Sequence, residues 1–159
     1  MSIPYEAKAT QQLPIVLSVN NALTLPSIID VVPVTPGVAS YNAGQLIAQH
    51  SDFTLVTSAS PAKPGEYLVM YLVGLGATNP PAASGMPAPS SPLATVTVTP
   101  TVTVGSQPAT VLFAGLTPGF VGLYQINFQV PTGAASGNET VVVTQNGVSA
   151  NSTTLPVAQ

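Results

Sequence analysis

Leu123-Tyr124-Gln125-Ile126-Asn127-Phe128-Gln129-Val130 decides the fold of this chain. On an extended backbone Tyr124, Ile126, Phe128 and Val130 fall on one side, and Gln125, Asn127 and Gln129 on the other. Successive side chains of a strand point to opposite faces, so this strand has one apolar face and one amide-bearing face. A sheet with one apolar face must bury it against another layer. The expectation is an all-β, two-layer protein.

The flanking sequence carries the same signal. Thr95-Val96-Thr97-Val98-Thr99 and Thr101-Val102-Thr103-Val104 alternate Val with Thr on either side of Pro100, which removes a ladder donor and marks a bulge, an edge or a break. Gly105 to Pro108 turns the chain, and Ala109 to Phe113 returns. Thr140 to Thr144 and Val148 onward flank Asn146-Gly147, which readily supplies the positive φ of a type I′ turn. Upstream, Tyr67 to Val73 is apolar without alternation, and this predicts a central strand covered on both faces. Residues 74–93 are rich in Gly, Pro, Ala and Ser and read as a long surface excursion or a functional rim. Gln45 to Ala48 and Phe53 to Val56 form a weaker hairpin with His50-Ser51-Asp52 at its tip, and Ile15 to Val19 and Ile28 to Val34 are two further strands. No stretch holds a period of 3.6 with caps, and eight to ten short strands are expected.

The composition excludes several functions. The 159 residues include two Lys, no Arg, five acids and one His, with a net charge of −3, so no surface here can neutralise a run of phosphates. Nucleic acid is excluded as a partner, and polybasic membrane contact and bilayer insertion are unsupported. The opening Met1-Ser2-Ile3-Pro4-Tyr5-Glu6 shows no export signal. The absence of Cys removes disulfides, thiolate metal sites and cysteine nucleophiles. With 17 Pro and 13 Gly, the chain suits short strands and tight turns. Polarity rests on Thr, Ser, Asn and Gln, so little repulsion separates copies and self-association is expected.

Side chains able to do chemistry are few. Glu6, Asp30, Asp52, Glu66 and Glu139 are scattered and read as turn or surface residues. His50, Ser51 and Asp52 are the three residue types of a hydrolase relay, but adjacent positions do not converge as that relay requires. A lone His is a poor transition-metal site, and neither a calcium loop nor G-x-G-x-x-G is present around Gly74-Leu75-Gly76 or Gly115 to Gly122. No catalytic, cofactor-binding or metal-binding residue is assigned. Tyr5, Tyr41, Tyr67, Tyr71 and Tyr124 are read chiefly as packing residues. Asn138 and Asn151 open short glycosylation-type triplets. A lysine–amide cross-link would need Lys8 or Lys63 buried beside Glu6, Glu66 or Glu139, whereas solvent-facing lysines are the default.

An internal repeat is visible. Ile3-Pro4, Ala7 and Ile15 to Asn21 resemble Val130-Pro131, Ala134 and Val141 to Gly147, and the likeness continues to Val31 and Val157. The first copy has almost nothing before it, which predicts a module that begins midway or takes its missing sheet partners from elsewhere; a rearranged single domain would give the same pattern.

Pro108-Ala109-Thr110-Val111-Leu112-Phe113-Ala114-Gly115, Pro118-Gly119, Gly122 to Pro131, Gly137-Asn138 and Asn146-Gly147-Val148-Ser149 together resemble the C-terminal immunoglobulin-like module of large secreted proteins of soil Acidobacteria. That module is similar to the TIG/IPT class. Ser58 to Gly65, leading into Tyr67 to Gly76, resembles its opening, and residues 3–57 resemble the tail of a preceding unit. The resemblance implies an immunoglobulin-like β-sandwich at 58–159 and a partial β module with a hairpin at 1–57. It also implies an exported or cell-surface, non-catalytic role without cofactors. The expected partners are neighbouring domains or further copies, through edge-strand pairing. The alternative is a polysaccharide-binding accessory module of an extracellular enzyme, with the 77–93 loop and the His50 tip as its surface.

Overall fold

The regular elements of the computed structural model, which describes residues 5–158, are all β-strands. An N-terminal group consists of β1 (Gln11–Ile15), β2 (Ser18–Val19), β3 (Ala22–Leu23) and β4 (Ser27–Val31). Four short strands follow: β5 (Gly37–Val38), β6 (Ser40–Tyr41), β7 (Gln45–Leu46) and β8 (Ala48–Gln49). Then come β9 (Tyr67–Val73), β10 (Thr78–Asn79), β11 (Thr95–Val96), β12 (Thr101–Val104) and β13 (Gln107–Leu116). The chain ends with β14 (Tyr124–Gln129), β15 (Gly137–Gln145), β16 (Val148–Ser149) and β17 (Thr153–Val157).

From β5 onward these strands make a two-layer β-sandwich. One layer runs from β5 and β8, side by side along β9, through β14 and β13 to β11 and β10. The other runs β12, β15, β17, β7, β6, with β16 added to β15. The layers share β13, in which Gln107, Pro108 and Ala109 pair with β12 and the stretch from Thr110 to Leu116 pairs with β14 across a register shift between Val111 and Phe113. Such a bulge bends a strand and raises its twist, and here it falls just after β13 leaves one layer for the other between Ala109 and Thr110. Pro100 stands at a similar corner: β11 before it belongs to the first layer and β12 after it to the second.

Period-two burial fills the space between the layers. Leu68, Met70, Leu72, Ile126 and Phe128 point inward from one sheet, and Val102, Val104, Val141, Val143 and Leu155 from the other. Strand β14 alternates buried and half-buried residues throughout, as its sequence requires. Strand β9 departs from expectation. It is central, but only Leu68, Met70 and Leu72 are buried, while Tyr67 is 55% and Val73 52% exposed. Among the described residues no second layer covers its outer face, and Tyr71 turns its hydroxyl there to donate to Gln49 Oε1 at 2.7 Å. Residues 74–93 are not structureless either: β10 pairs with β11, and Ala88 bridges to Pro118.

The division expected at residue 57 does not follow the pairing. Residues 37–49 contribute β5 and β8 to the edge of β9, while β7 lies parallel to β17. The change of unit falls instead in the 32–36 connection. Before it, β1 and β4 form a two-stranded sheet of their own. Ile3 and Pro4, which open the sequence repeat, lie outside the described residues.

The hairpin β1–β4 has the register of β15–β17. Gln11 lies opposite Val31 as Gly137 lies opposite Val157, and 137 less 11, like 157 less 31, is 126. The same displacement converts Ile15–Ser27 into Val141–Thr153, and Ser18–Leu23 into Thr144–Ser149. Asn20 and Asn21 take φ of 49° and 62°, where Asn146 and Gly147 take 50° and 77°. Two consecutive residues with positive φ make the tight turn that suits the right-handed twist of paired strands.

Candidate functional site

Two polar arrangements emerge once the chain is folded. The first lies at the end of the sandwich where the N-terminal segment meets it. A cleft of about 970 Å³ opens there between Tyr5, Val31 and Val34 on one side and Leu75, Tyr124 and Gln145 on the other. Ala77, Thr78, Pro81 and Ala82 of the Gly/Pro-rich stretch line it too, so some of that stretch does form a rim.

Buried hydrogen bonds build the cleft wall. Gln145 is 2% exposed and donates Nε2 to the carbonyls of Val98 at 2.6 Å and Leu75 at 3.2 Å, joining two loops to the β15 turn. Its Oε1 has no donor among the described residues. Tyr124 donates its hydroxyl to the Gly76 carbonyl. Burial raises the Tyr124 pKa well above the ordinary tyrosine range, and the neighbouring Tyr5 pushes it the same way, so this phenol stays protonated. At the rim, Ser84 Oγ accepts from the Tyr5 amide at 2.6 Å and donates to Glu6. The Ser84 hydrogen bond favours the charged form of Glu6 and lowers its pKa.

Glycine makes the junction possible. Gly74 and Gly76 have φ of 80° and 75°. A Cβ on Gly74 would sit 2.0 Å from the Thr35 carbonyl oxygen, and one on Gly76 2.4 Å from that of Pro33. The Thr35 amide donates to the Gly74 carbonyl at 2.9 Å, so the connection from the N-terminal hairpin lies directly on the backbone of the sandwich.

The second arrangement surrounds His50. Its Nδ1 lies 2.6 Å from Glu66 Oε1, its Nε2 3.2 Å from the Ser60 carbonyl and 3.4 Å from Ser60 Oγ. Glu66 Oε2 accepts the Lys63 amide at 2.8 Å. The partners of His50 are therefore Glu66 and Ser60, not its neighbours Ser51 and Asp52. Asp52 instead closes its own turn, accepting from the Thr54 amide at 3.0 Å and the Thr54 hydroxyl at 2.6 Å. A carboxylate, an imidazole and a serine stand in the order of a hydrolase relay. With Nδ1–H given to Glu66, however, Nε2 is nearer the Ser60 carbonyl than the hydroxyl, and only a protonated Nε2 bonds to a carbonyl. The geometry therefore favours imidazolium donating to both Glu66 and the Ser60 carbonyl, as a clasp does. It ties the 50–66 connection to the start of β9.

Partial burial pulls the His50 pKa down. The Glu66 hydrogen bond, the Ser60 carbonyl and the charges of Glu66 and Asp52 outweigh it and leave the pKa raised above 6.5. A raised histidine pKa means stabilisation that is complete below the unfolded value and lost as pH climbs through the folded one. The unfolding free energy should decline by about 0.2–1 kcal/mol as pH rises from 6.5 through the folded pKa. His50→Gln should flatten that slope in urea titrations run at a series of pH values. An equal slope in the variant would dismiss the clasp.

The remaining candidates are dispersed. Asp30 accepts from Gln12 Nε2 at 2.9 Å on the N-terminal hairpin. Lys8 and Lys63 are exposed, so the burial that a lysine cross-link demands is not met. Among the tyrosines only Tyr124 is fully buried; Tyr5, Tyr41 and Tyr71 are half-buried and Tyr67 is exposed, so the packing role expected of all five holds fully for one. Asn138 is exposed. Asn151 is committed to the sandwich: its Oδ1 accepts from the Val38 amide at 2.8 Å and its Nδ2 donates to the Val38 carbonyl at 3.1 Å. Among the described residues, no three His, Asp or Glu side chains gather as metal ligands would.

The chain matches no protein-family model, no curated protein and no solved structure.

Proposed function

We propose that the chain is a non-catalytic structural unit of an exported multidomain protein, an immunoglobulin-like sandwich of TIG/IPT type that packs against neighbouring β units or further copies. The observation that carries this reading is the N-terminal hairpin. Leu17, Val19, Leu23, Leu25 and Ile28 are exposed there, on and between two short two-stranded sheets that pair with no other strand among the described residues, with Ile28 on the face that carries Gln12 and Asp30. Isolated two-stranded sheets are marginal in water, and so many exposed large apolar side chains in one short segment point to an interaction surface. The parallel alignment of β7 and of Ala62 with the last strand supports the immunoglobulin-like plan. The commitment of both His50 nitrogens and both Glu66 oxygens to internal bonds supports a structural role for the polar cluster.

Light scattering on the eluting peak of a size-exclusion column tests the association. A mass that grows with concentration, and returns to the monomer in Leu17→Asp/Ile28→Asp, is the expected result. A strict monomer at millimolar concentration would remove self-association.

The cleft supports a second reading, a site for a neutral polysaccharide end, because apolar walls with a few convergent polar groups are the usual form of a ligand pocket. It lies beside the 77–82 rim and not at His50. Specific, saturable signals on a glycan array would favour it.

A further inference from the structure

We propose that the hairpin β1–β4 is the closing hairpin of another sandwich: its apolar face fits the slot of a β unit of this chain's own plan that lacks a last hairpin. The proposal rests on the structural-unit reading and names the partner that reading leaves open.

The chain itself displays what covers such a face. In the β15–β17 hairpin, Val141, Val143, Leu155 and Val157 belong to one buried cluster with Leu68, Ile126 and Phe128. The 126-residue displacement puts Ile15, Leu17, Ile29 and Val31 at those positions. Val143 is 0% exposed and its counterpart Leu17 49%. Gln145 is 2% exposed and its counterpart Val19 62%. Leu17 and Val19 are open where the equivalent residues are covered, and Ile15, Ile29 and Val31 are half-buried where theirs are fully buried.

The backbone edge repeats the contrast. Strand β15 pairs along residues 141–144 with β12. Among the described residues, the equivalent residues, 15–18, pair with no strand other than those of their own hairpin. The partner must therefore offer an apolar slot between two sheets and, beside it, an unpaired strand equivalent to β12. Charge places no obstacle. Gln12 and Asp30, hydrogen-bonded to each other, lie on one face of the hairpin, and the apolar face carries the half-buried Leu13, Ile15, Ile29 and Val31, continued by the exposed Leu17, without an ionisable group. Leu13 replaces Glu139, and Val19 replaces Gln145, so the hairpin is more apolar than the one it resembles.

A full-length chimera tests the fit, with residues 137–157 replaced by the sequence of residues 11–31. The expected result is a β-type circular dichroism spectrum and one cooperative melt within about 20 °C of the parent. The same chimera with aspartate at the positions of Leu17 and Ile29 should not fold. A further version keeps the inserted turn and outer face but restores the native inward residues, such as Val141, Val143 and Leu155. If that version folds and the plain chimera does not, the face does not fit and the proposal is overturned. If neither folds, the two hairpins are not interchangeable in plan, which overturns it equally. Folding of the aspartate version would show that the slot does not discriminate and would also overturn it. These outcomes are independent of molecular mass in solution, so they separate this inference from the self-association tested by light scattering.

Discussion

Phe128→Ala should cost about 3–5 kcal/mol of unfolding free energy and lower the melting temperature by about 10–20 °C. Phe128 is 0% exposed near the end of β14, where the buried Ile126 and Val130 flank it on the same face. Removing a buried phenyl ring loses its transfer free energy and leaves a cavity that strands tied into ladders on both sides close only partly. Strand β14 is held between β9 and β13, so its backbone has little room to relax. The control is Leu112→Ala, at the bulge of β13, where the side chain is 56% exposed and the change should stay within about 0.5 kcal/mol. Urea titrations of both variants decide the matter. A Phe128→Ala loss below about 1 kcal/mol would mean that the core is not organised around this strand.

Gly74→Ala should be the most damaging small change, at about 2–4 kcal/mol. Two costs combine. An alanine at a φ of 80° is strained wherever it stands, and here its Cβ would also lie 2.0 Å from the Thr35 carbonyl oxygen. Gly85→Ala separates them: its φ is 73°, but a Cβ there meets nothing within 4 Å, so only the conformational cost of about 1–2 kcal/mol applies. The excess at Gly74 should appear locally as faster hydrogen exchange of the Thr35 amide, which donates to the Gly74 carbonyl. Equal losses in the two variants would show that the connection moves aside freely.

What the sequence revealed depended on range. Strand β14 is legible because alternation is local: each residue of Tyr124 to Gln129 states its face through its own polarity. The Asn146-Gly147 turn is legible for the same reason, since its positive φ values are a property of those two residues. Strand β9 misled because Tyr67, Tyr71 and Val73 are apolar in composition but tolerate a solvent-facing position, so the period was hidden. The two-residue strands β5 to β8 have too few positions to show any period.

The polar arrangements were hidden by distance along the chain. His50 meets Glu66 across 16 positions, Gln145 reaches Leu75 across 70, and Asn151 holds Val38 across 113. No spacing rule covers such pairs, because each exists only after the sheets have formed. The junction at 32–36 escaped for a related reason. Residues 37–49 have the composition of the segment before them, and only the ladders to β9 and β17 assign them to the sandwich. The likeness of residues 15–21 to residues 141–147 can be read from the letters, whereas the common register of the two hairpins can be read only from their ladders.

The parallel arrangement of the early segments and the last strand has a mechanical consequence. Thr154 donates its amide to Gly44, Ala62 donates to Pro156, and Ala158 donates to Ala62, each at 2.9 Å. Tension applied between the 36 end and the 158 end loads these bonds in shear, together, so they resist as a group and do not open in succession like a zipper. In a string of such units under flow or traction, this seam would bear the force first.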